Sequence, residues 1–242
     1  YTCNITDAKG CPASATGAID QPDNLTLQPS TSPATCYGAS DGSATVVPQG
    51  GIPPFTYDWS NGQTSQVDTM LISGTYTVTV FDSNSCPATA NLFVQQPTEI
   101  TAILTTIDVL CNGDSTGSII LNSSSGSAGP PYMRYWSNGH NDLINQTLLA
   151  GTYYLTLADG AGCSNTFTET ITEPTAISTS LLSSDISVSG ANDGAISATV
   201  SGGNPSPPYS YTWTGPPGFS NSSSSINGLA KGVYTLVVQD GN

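Results

Sequence analysis

One spacing recurs along the chain and limits what it can fold into. Tyr76 stands five residues after Leu71 and two after Gly74, with Asp82 six residues and Cys86 ten residues further on. The same ruler fits Leu148, Gly151, Tyr153, Asp159 and Cys163, and again Leu229, Gly232, Tyr234 and Asp240. Tyr1, Asp7 and Cys11 fit its last marks. The tyrosines are 75, 77 and 81 residues apart, and a proline follows each of the first three after 21 residues, at Pro22, Pro97 and Pro174. Self-similarity of this kind marks an array of related units and sets how every other residue is read.

Within the repeat, Gly74-Thr75-Tyr76-Thr77-Val78-Thr79-Val80-Phe81 alternates apolar and hydroxyl side chains and is rich in β-branched and aromatic residues, the pattern of a half-buried strand. Upstream lies a short aromatic strand after a double proline, ending at Trp59, Trp136 or Trp213. Ser60-Asn61-Gly62 and Ser137-Asn138-Gly139 follow the first two, and Asn-Gly supplies the positive φ angles of a tight hairpin turn. The third copy carries Thr214-Gly215-Pro216-Pro217-Gly218 instead. No stretch shows helical periodicity or caps. The expected class is all-β, a tandem array of immunoglobulin-like β-sandwich modules. Residues 1–22 read as the C-terminal end of a preceding repeat, 23–97 and 98–174 as complete repeats, and 175–242 as a truncated one. The chain opens in mid-strand and closes before its expected turn, so it reads as a window on a longer polypeptide. Strand counting leaves two geometries open: six strands return both ends to one pole and give a zigzag, and a split first strand adds a seventh and straightens the array.

Three basic residues stand against 17 acidic ones, a net charge of −14. That excludes nucleic acid, which needs a basic patch, and docking to an anionic membrane surface. No apolar run reaches the length of a membrane span. Catalysis finds no support: there is no Gly-x-Ser-x-Gly elbow, no phosphate loop and no Ser/His/Asp set, since His140 is the only histidine. The chain is read as a non-enzyme with no cofactor.

The tryptophans are expected to plug the sandwich cores. Tyr76, Tyr153 and Tyr234, in Leu-x-x-Gly-x-Tyr, resemble a tyrosine corner whose hydroxyl bonds nearby backbone. Cys36 and Cys86 share a module, as do Cys111 and Cys163. Four strands separate the members of each pair; if each reverses the last, both cysteines return to one pole and can pair. Such disulfides, closing a loop of about 50 residues and stabilising by roughly 3–4 kcal/mol, place the protein in an oxidising compartment. Val188 stands where the third module would have its first cysteine. Cys3 reads as a buried thiol or as the partner of a group not shown, and Cys11 is expected to pair upstream. The same parity joins Asp41 with Asp82, Asp114 with Asp159 and Asp193 with Asp240. Calcium is therefore the one metal considered, although aspartates in turns normally bond their own backbone.

The string Cys36-x-Gly38 … Asp41-Gly42-Ser43 … Gly50-Gly51-x-x-Pro54-Phe55-x-Tyr57-x-Trp59-Ser60-Asn61-Gly62 … Leu71-x-x-Gly74-x-Tyr76-x-Val78-x-Val80-x-Asp82 … Cys86 resembles the SprB-type repeat of cell-surface adhesins in gliding Bacteroidota. The resemblance recurs in every module. It implies the stalk of an extracellular repeat adhesin or surface filament, delivered by type IX secretion and moved by gliding machinery, with a surface polysaccharide or substratum as partner. Neighbouring repeats of the same chain are the nearer partners. It also makes Thr69, in Asp68-Thr69-Met70, and Ser115, in Asp114-Ser115-Thr116, candidate O-glycosylation acceptors. Two alternatives stand beside the stalk. A carbohydrate-binding array is favoured if aromatic rings are exposed, and a self-assembling extracellular fibre if isolated modules polymerise.

Overall fold

A computed structural model describes residues 1–126, 131–204 and 208–241 of the chain. Two compact units are present, Tyr1–Glu99 and Ile100–Asn242. Every regular element among the described residues is a strand, and none is a helix long and apolar enough to cross a membrane.

The first unit opens with a hairpin of β1 (Thr2–Thr6) and β2 (Pro12–Thr16). A six-stranded sandwich follows. One sheet orders β3 (Thr26–Ser32), β4 (Gly42–Gln49) and β6 (Val67–Leu71); the other orders β5 (Thr56–Trp59), β7 (Gly74–Phe81) and β8 (Pro87–Val94). All pairings are antiparallel. The alternation read from Gly74 onward decides which face is buried. Val78 and Val80 are fully buried, while the hydroxyls of Thr77 and Thr79 bond Asn91 and Thr89 on the outer face. Ala44, Val46, Trp59, Leu71, Leu92 and Val94 complete the core between the sheets. Burying each of the larger ones is worth about 1.5–3 kcal/mol.

The second unit repeats this plan twice. Sheets β9 (Thr101–Ile107)–β10 (Gly117–Ser125)–β12 (Ile144–Leu148) and β11 (Met133–Trp136)–β13 (Gly151–Ala158)–β14 (Ser164–Ile171) enclose Ile119, Leu121, Trp136, Leu148, Leu155, Leu157 and Ile171. The third module has β15 (Ser178–Ser184), β16 (Gly194–Ser201) and β19 (Ser225–Leu229) facing β17 (Ser210–Thr214), β18 (Ser220–Asn221) and β20 (Thr235–Gln239). Its core is smaller, with Trp213, Ile226 and Leu229 fully buried.

Strand direction departs from the simple alternation expected. Gly42 pairs with Leu71, and Gly74 with Val94, at the pole where the module's chain leaves. Phe81 pairs with both Thr56 and Pro87 at the pole where it starts. Both β5 and β6 therefore run from the N-terminal pole towards the C-terminal one. They lie in different sheets, joined by a segment that turns tightly at Asn61-Gly62, where Trp59 N donates to Gln63 O at 3.0 Å, and then crosses the sandwich to resume the same direction. Trp59 pins that crossing, its Nε1 donating to Ser65 O at 2.8 Å. β5 has four residues and β6 has five, against eight in β7, so the two make a single traverse between them. Four reversals remain among six strands, and the module begins and ends at opposite poles. The second module shares this arrangement; in the third the chain turns back through β18, antiparallel to β17, before entering β19, and β20 is the last described strand. First and last strands run alongside each other in the same direction: Thr31 Oγ1 donates to Phe93 O at 3.3 Å and Ala34 N to Gln95 O at 2.9 Å.

Glycine is demanded where the sheets approach most closely. A Cβ on Gly42 would sit 2.6 Å from Val94 Cγ1 and 2.9 Å from Leu71 O. Gly117 meets Ile171 Cγ2 and Leu148 O in the same way. The ladder slips just after each of these glycines. Opposite the slip, Met70 (φ 59°) and Thr147 (φ 58°) are left-handed, and the third module places Gly228 (φ 68°) at this position.

Candidate functional site

The polar residues singled out in the sequence collect at the two poles of each module, where loops must be held without a sheet. At the N-terminal pole a single aspartate does most of this. Asp82 Oδ1 accepts from Asn84 N and Cys86 N, each at 2.9 Å, and its Oδ2 accepts from Ile52 N at 3.1 Å. Asp159 Oδ1 accepts from Ala161 N and Cys163 N, and Asp7 Oδ1 from Lys9 N and Cys11 N. Asp240 Oδ2 accepts from Asn204 N at 2.8 Å. The Cys86 amide, then those of Ile52 and Asn84, hold Asp82 below the ordinary aspartate range; the amides of Cys11 and Lys9 do the same for Asp7. These carboxylates serve backbone donors, although Asp159 Oδ2 is buried with no partner.

The C-terminal pole carries the Cys-x-Gly loop. Asp41 accepts from the hydroxyl and amide of Thr35, which hold its carboxyl low, and Asp193 is held low by Ser187. Thr116 Oγ1 replaces that acceptor in the second module, taking Leu110 N at 2.9 Å. The loop then grips the end of its own module. Gly38 N donates to Gln96 Oε1 at 2.9 Å, Gly113 N to Glu173 Oε2 at 2.7 Å, and Asn112 Nδ2 to Pro174 O at 3.0 Å.

This division overturns the pairings expected from parity. Asp41 and Asp82 stand at opposite poles, as do Asp114 and Asp159, and Asp193 and Asp240, because β5 and β6 do not reverse. The calcium reading loses the shared loops it was built on, and no group of three or more His, Cys, Asp or Glu suited to a metal occurs among the described residues. The intramodule disulfides are corrected on the same ground. Cys36 and Cys163 are disulfide-bonded, whereas Cys86 and Cys111 are exposed free thiols, so neither Cys36–Cys86 nor Cys111–Cys163 is closed. The eight residues of β7 span about 25 Å, and a disulfide allows about 4.4–6.8 Å between Cα atoms. Cys3 is an exposed free thiol on the β1–β2 hairpin rather than a buried one, and Cys11 is free and exposed.

The aromatic positions serve the core. Trp59, Trp136 and Trp213 are at most 4% exposed, which removes them as sugar platforms. Their indole N–H groups donate to the carbonyls of Ser65, Asp142 and Ser223. Tyr76, Tyr153 and Tyr234 donate to Ile72 O, Leu149 O and Ala230 O at 3.0–3.1 Å, each four residues back. Thr69 and Ser115 are exposed, Thr69 on β6 and Ser115 in the loop before β10.

Sequence reasoning missed one buried polar pair. Asp68 is 1% exposed; its Oδ2 accepts from Asn61 Nδ2 at 2.8 Å, and its Oδ1 has no partner. In the second module Asn138 and Asn145 exchange two amide hydrogen bonds at 2.9 and 3.3 Å. The signal was an Asn-Gly turn followed at seven residues by Asp or Asn, a spacing hidden by reading the asparagine only as a turn former.

The SprB repeat family model matches residues 29–64, 103–141 and 183–218. These segments fall in the three modules, in agreement with the motif resemblance. No curated protein matches the chain. Among solved structures, immunoglobulin domains 1–5 of Sidekick-1 are 14% identical over 91% of this chain and 55% of that one, with a TM-score of 0.32. The I67–I69 fragment of the titin I-band is 11% identical over 92% and 95%, TM-score 0.31. A tetra-tandem repeat from the extending region of a large adhesion protein is 15% identical over 98% and 80%, TM-score 0.29.

Proposed function

We propose that this chain is a segment of the stalk of an extracellular repeat adhesin or surface filament, serving attachment and, through the SprB resemblance, gliding motility. The observation that carries the reading is the pole geometry. The first and second modules take the chain in at one pole and release it at the other, and most of the polar groups at both poles hold loops. Such a unit is suited to spacing. The matched repeat segments and the disulfide-bonded cysteines support an exported, oxidised location. Delivery by type IX secretion, movement by gliding machinery, and O-glycans on the exposed Thr69 and Ser115 belong to this reading.

An antibody raised against the 242-residue chain tests it. Labelling of intact, unpermeabilised cells is expected, with label moving along the cell in gliding strains. Label that appears only after permeabilisation would refute the reading. The buried Trp59, Trp136 and Trp213 favour the stalk over a carbohydrate-binding array, for which the exposed rings are Tyr37, Phe93, Tyr135 and Tyr154 among others.

A further inference from the structure

The first and second modules are each shut by a last strand. β8 pairs with β7 and brings Val94 against Gly42; β14 pairs with β13 and brings Ile171 against Gly117. Val78, Val80, Leu155 and Leu157 are fully buried beside these strands. In the third module β20 stands at the edge of its sheet, and no described strand pairs with its second side. Leu236 and Val238, in the places of Val78 and Val80, are only half-buried, and Leu182 is 76% exposed. A cleft of about 350 Å³ is lined by Gly194, Leu229 and Gly232, the counterparts of the Gly42, Leu71 and Gly74 that meet around Val94. A second, of about 360 Å³, shares Ile196 with it and reaches Leu182 and Ile226.

The chain also carries a closing strand without a sandwich. Residues 12–19 occupy the repeat positions of Pro87–Val94 and Ser164–Ile171. Every residue of β2 is exposed, and among the described strands it is paired with β1 alone, in a two-stranded hairpin of a kind that is marginal in water. Ile19 is 79% exposed, whereas Val94 and Ile171, at its position, are 0% and 1% exposed. The register of β7 with β8, carried onto β20, sets Thr16 opposite Thr235, Ala15 opposite Leu236 and Ile19 opposite Gly232, in the cleft just described. β1 matches β20 position for position, so exchanging one for the other keeps the ladder of β2 and adds the burial of Ile19 and a cover for Leu236 and Val238.

We infer that the third module is an acceptor for a closing strand of the repeat's own sequence, and that a second copy of the 242-residue chain supplies it through residues 12–19. Main-chain bonds to β20 hold the incoming strand, and Ile19 in the cleft fixes its register, since a slip of one residue would turn that side chain outward. The contact is made between separate molecules, through a donor that is exposed on its own unit. Donor and acceptor are different surfaces, so the association is head-to-tail and grows by one copy at a time.

The test is sedimentation of the whole chain over a range of concentrations, with its free thiols alkylated first so that sulfur bridges between copies do not contribute. Mass is expected to rise with concentration in steps of one chain. Ile19→Asp, at a site exposed in the free chain, should leave a monomer at every concentration, because the cleft would have to bury an unpaired charge. Ile5→Asp, on exposed β1, should associate as the parent does. A peptide with the sequence of residues 87–95, the first module's own closing strand, should dissolve the oligomer and raise one thermal transition of the chain. A monomer at all concentrations, association that survives Ile19→Asp, or a dimer that does not grow would overturn the exchange. None of these results bears on the stalk reading, which rests on strand direction.

Discussion

Asp68→Asn should stabilise the first module, and the size of the effect can be worked from its neighbour in the array. The Asp68 carboxylate is shut away from water with one oxygen bonded to Asn61 and the other unpartnered. An unpaired buried polar group costs about 1–3 kcal/mol, and more when it is charged. Asn145 occupies the same position in the second module, fully buried and doubly bonded to Asn138. The substitution therefore removes a charge and adds one amide hydrogen bond, the latter worth about 1 kcal/mol. A gain of about 1–3 kcal/mol is expected at pH 7. For a module of this size each kcal/mol moves its midpoint by about 4–8 °C. Calorimetry of the 242-residue chain should show one transition moving up while the others stay. The reciprocal change, Asn145→Asp, should lower a different transition by a similar amount. If Asp68→Asn destabilises and Asn145→Asp is neutral, the pair is not governed by desolvation and the reasoning is wrong.

Three further outcomes follow from the same geometry. Gly42→Ala should cost about 1–3 kcal/mol in urea unfolding, because the new methyl meets the Leu71 carbonyl as well as the Val94 side chain. Thr147→Gly should stabilise by about 1 kcal/mol by the same measure, since a β-branched residue is strained at φ 58° and the third module already uses Gly228 there. Asp82 is held below its ordinary value of 3.8 in the folded state, so its stabilisation is present above that pH and is lost as pH falls through the folded value. Acid unfolding followed by tryptophan fluorescence should show a shallower pH dependence in Asp82→Asn than in the parent chain.

What could be read from residues alone was what is encoded locally. The alternation at Gly74–Phe81, the Asn-Gly turns and the tryptophan after a double proline each specify their own structure within a few residues, and each is found where expected. Strand direction is not local. Nothing at Ser60-Asn61-Gly62 states that the chain will fold back for only one bonded pair, Trp59 with Gln63, before it changes sheets and resumes its direction. The one available hint was length: a four-residue strand at Thr56–Trp59 is half a traverse. Treating it as a whole one put both cysteines, and each aspartate pair, at a single pole. The Asp68–Asn61 pair escaped for a related reason, since an acid on a short strand reads as solvent-facing until its sheet is placed.

The side-by-side course of the first and last strands has a mechanical consequence. Their outer ends point in opposite directions, so tension applied through residues 23 and 97 draws β3 and β8 lengthwise past each other. The bonds that join them, and the ladders behind, are loaded together in shear rather than peeled one at a time. A module anchored this way should yield abruptly and at high force under a cantilever or in flow, which is the behaviour wanted of a tether.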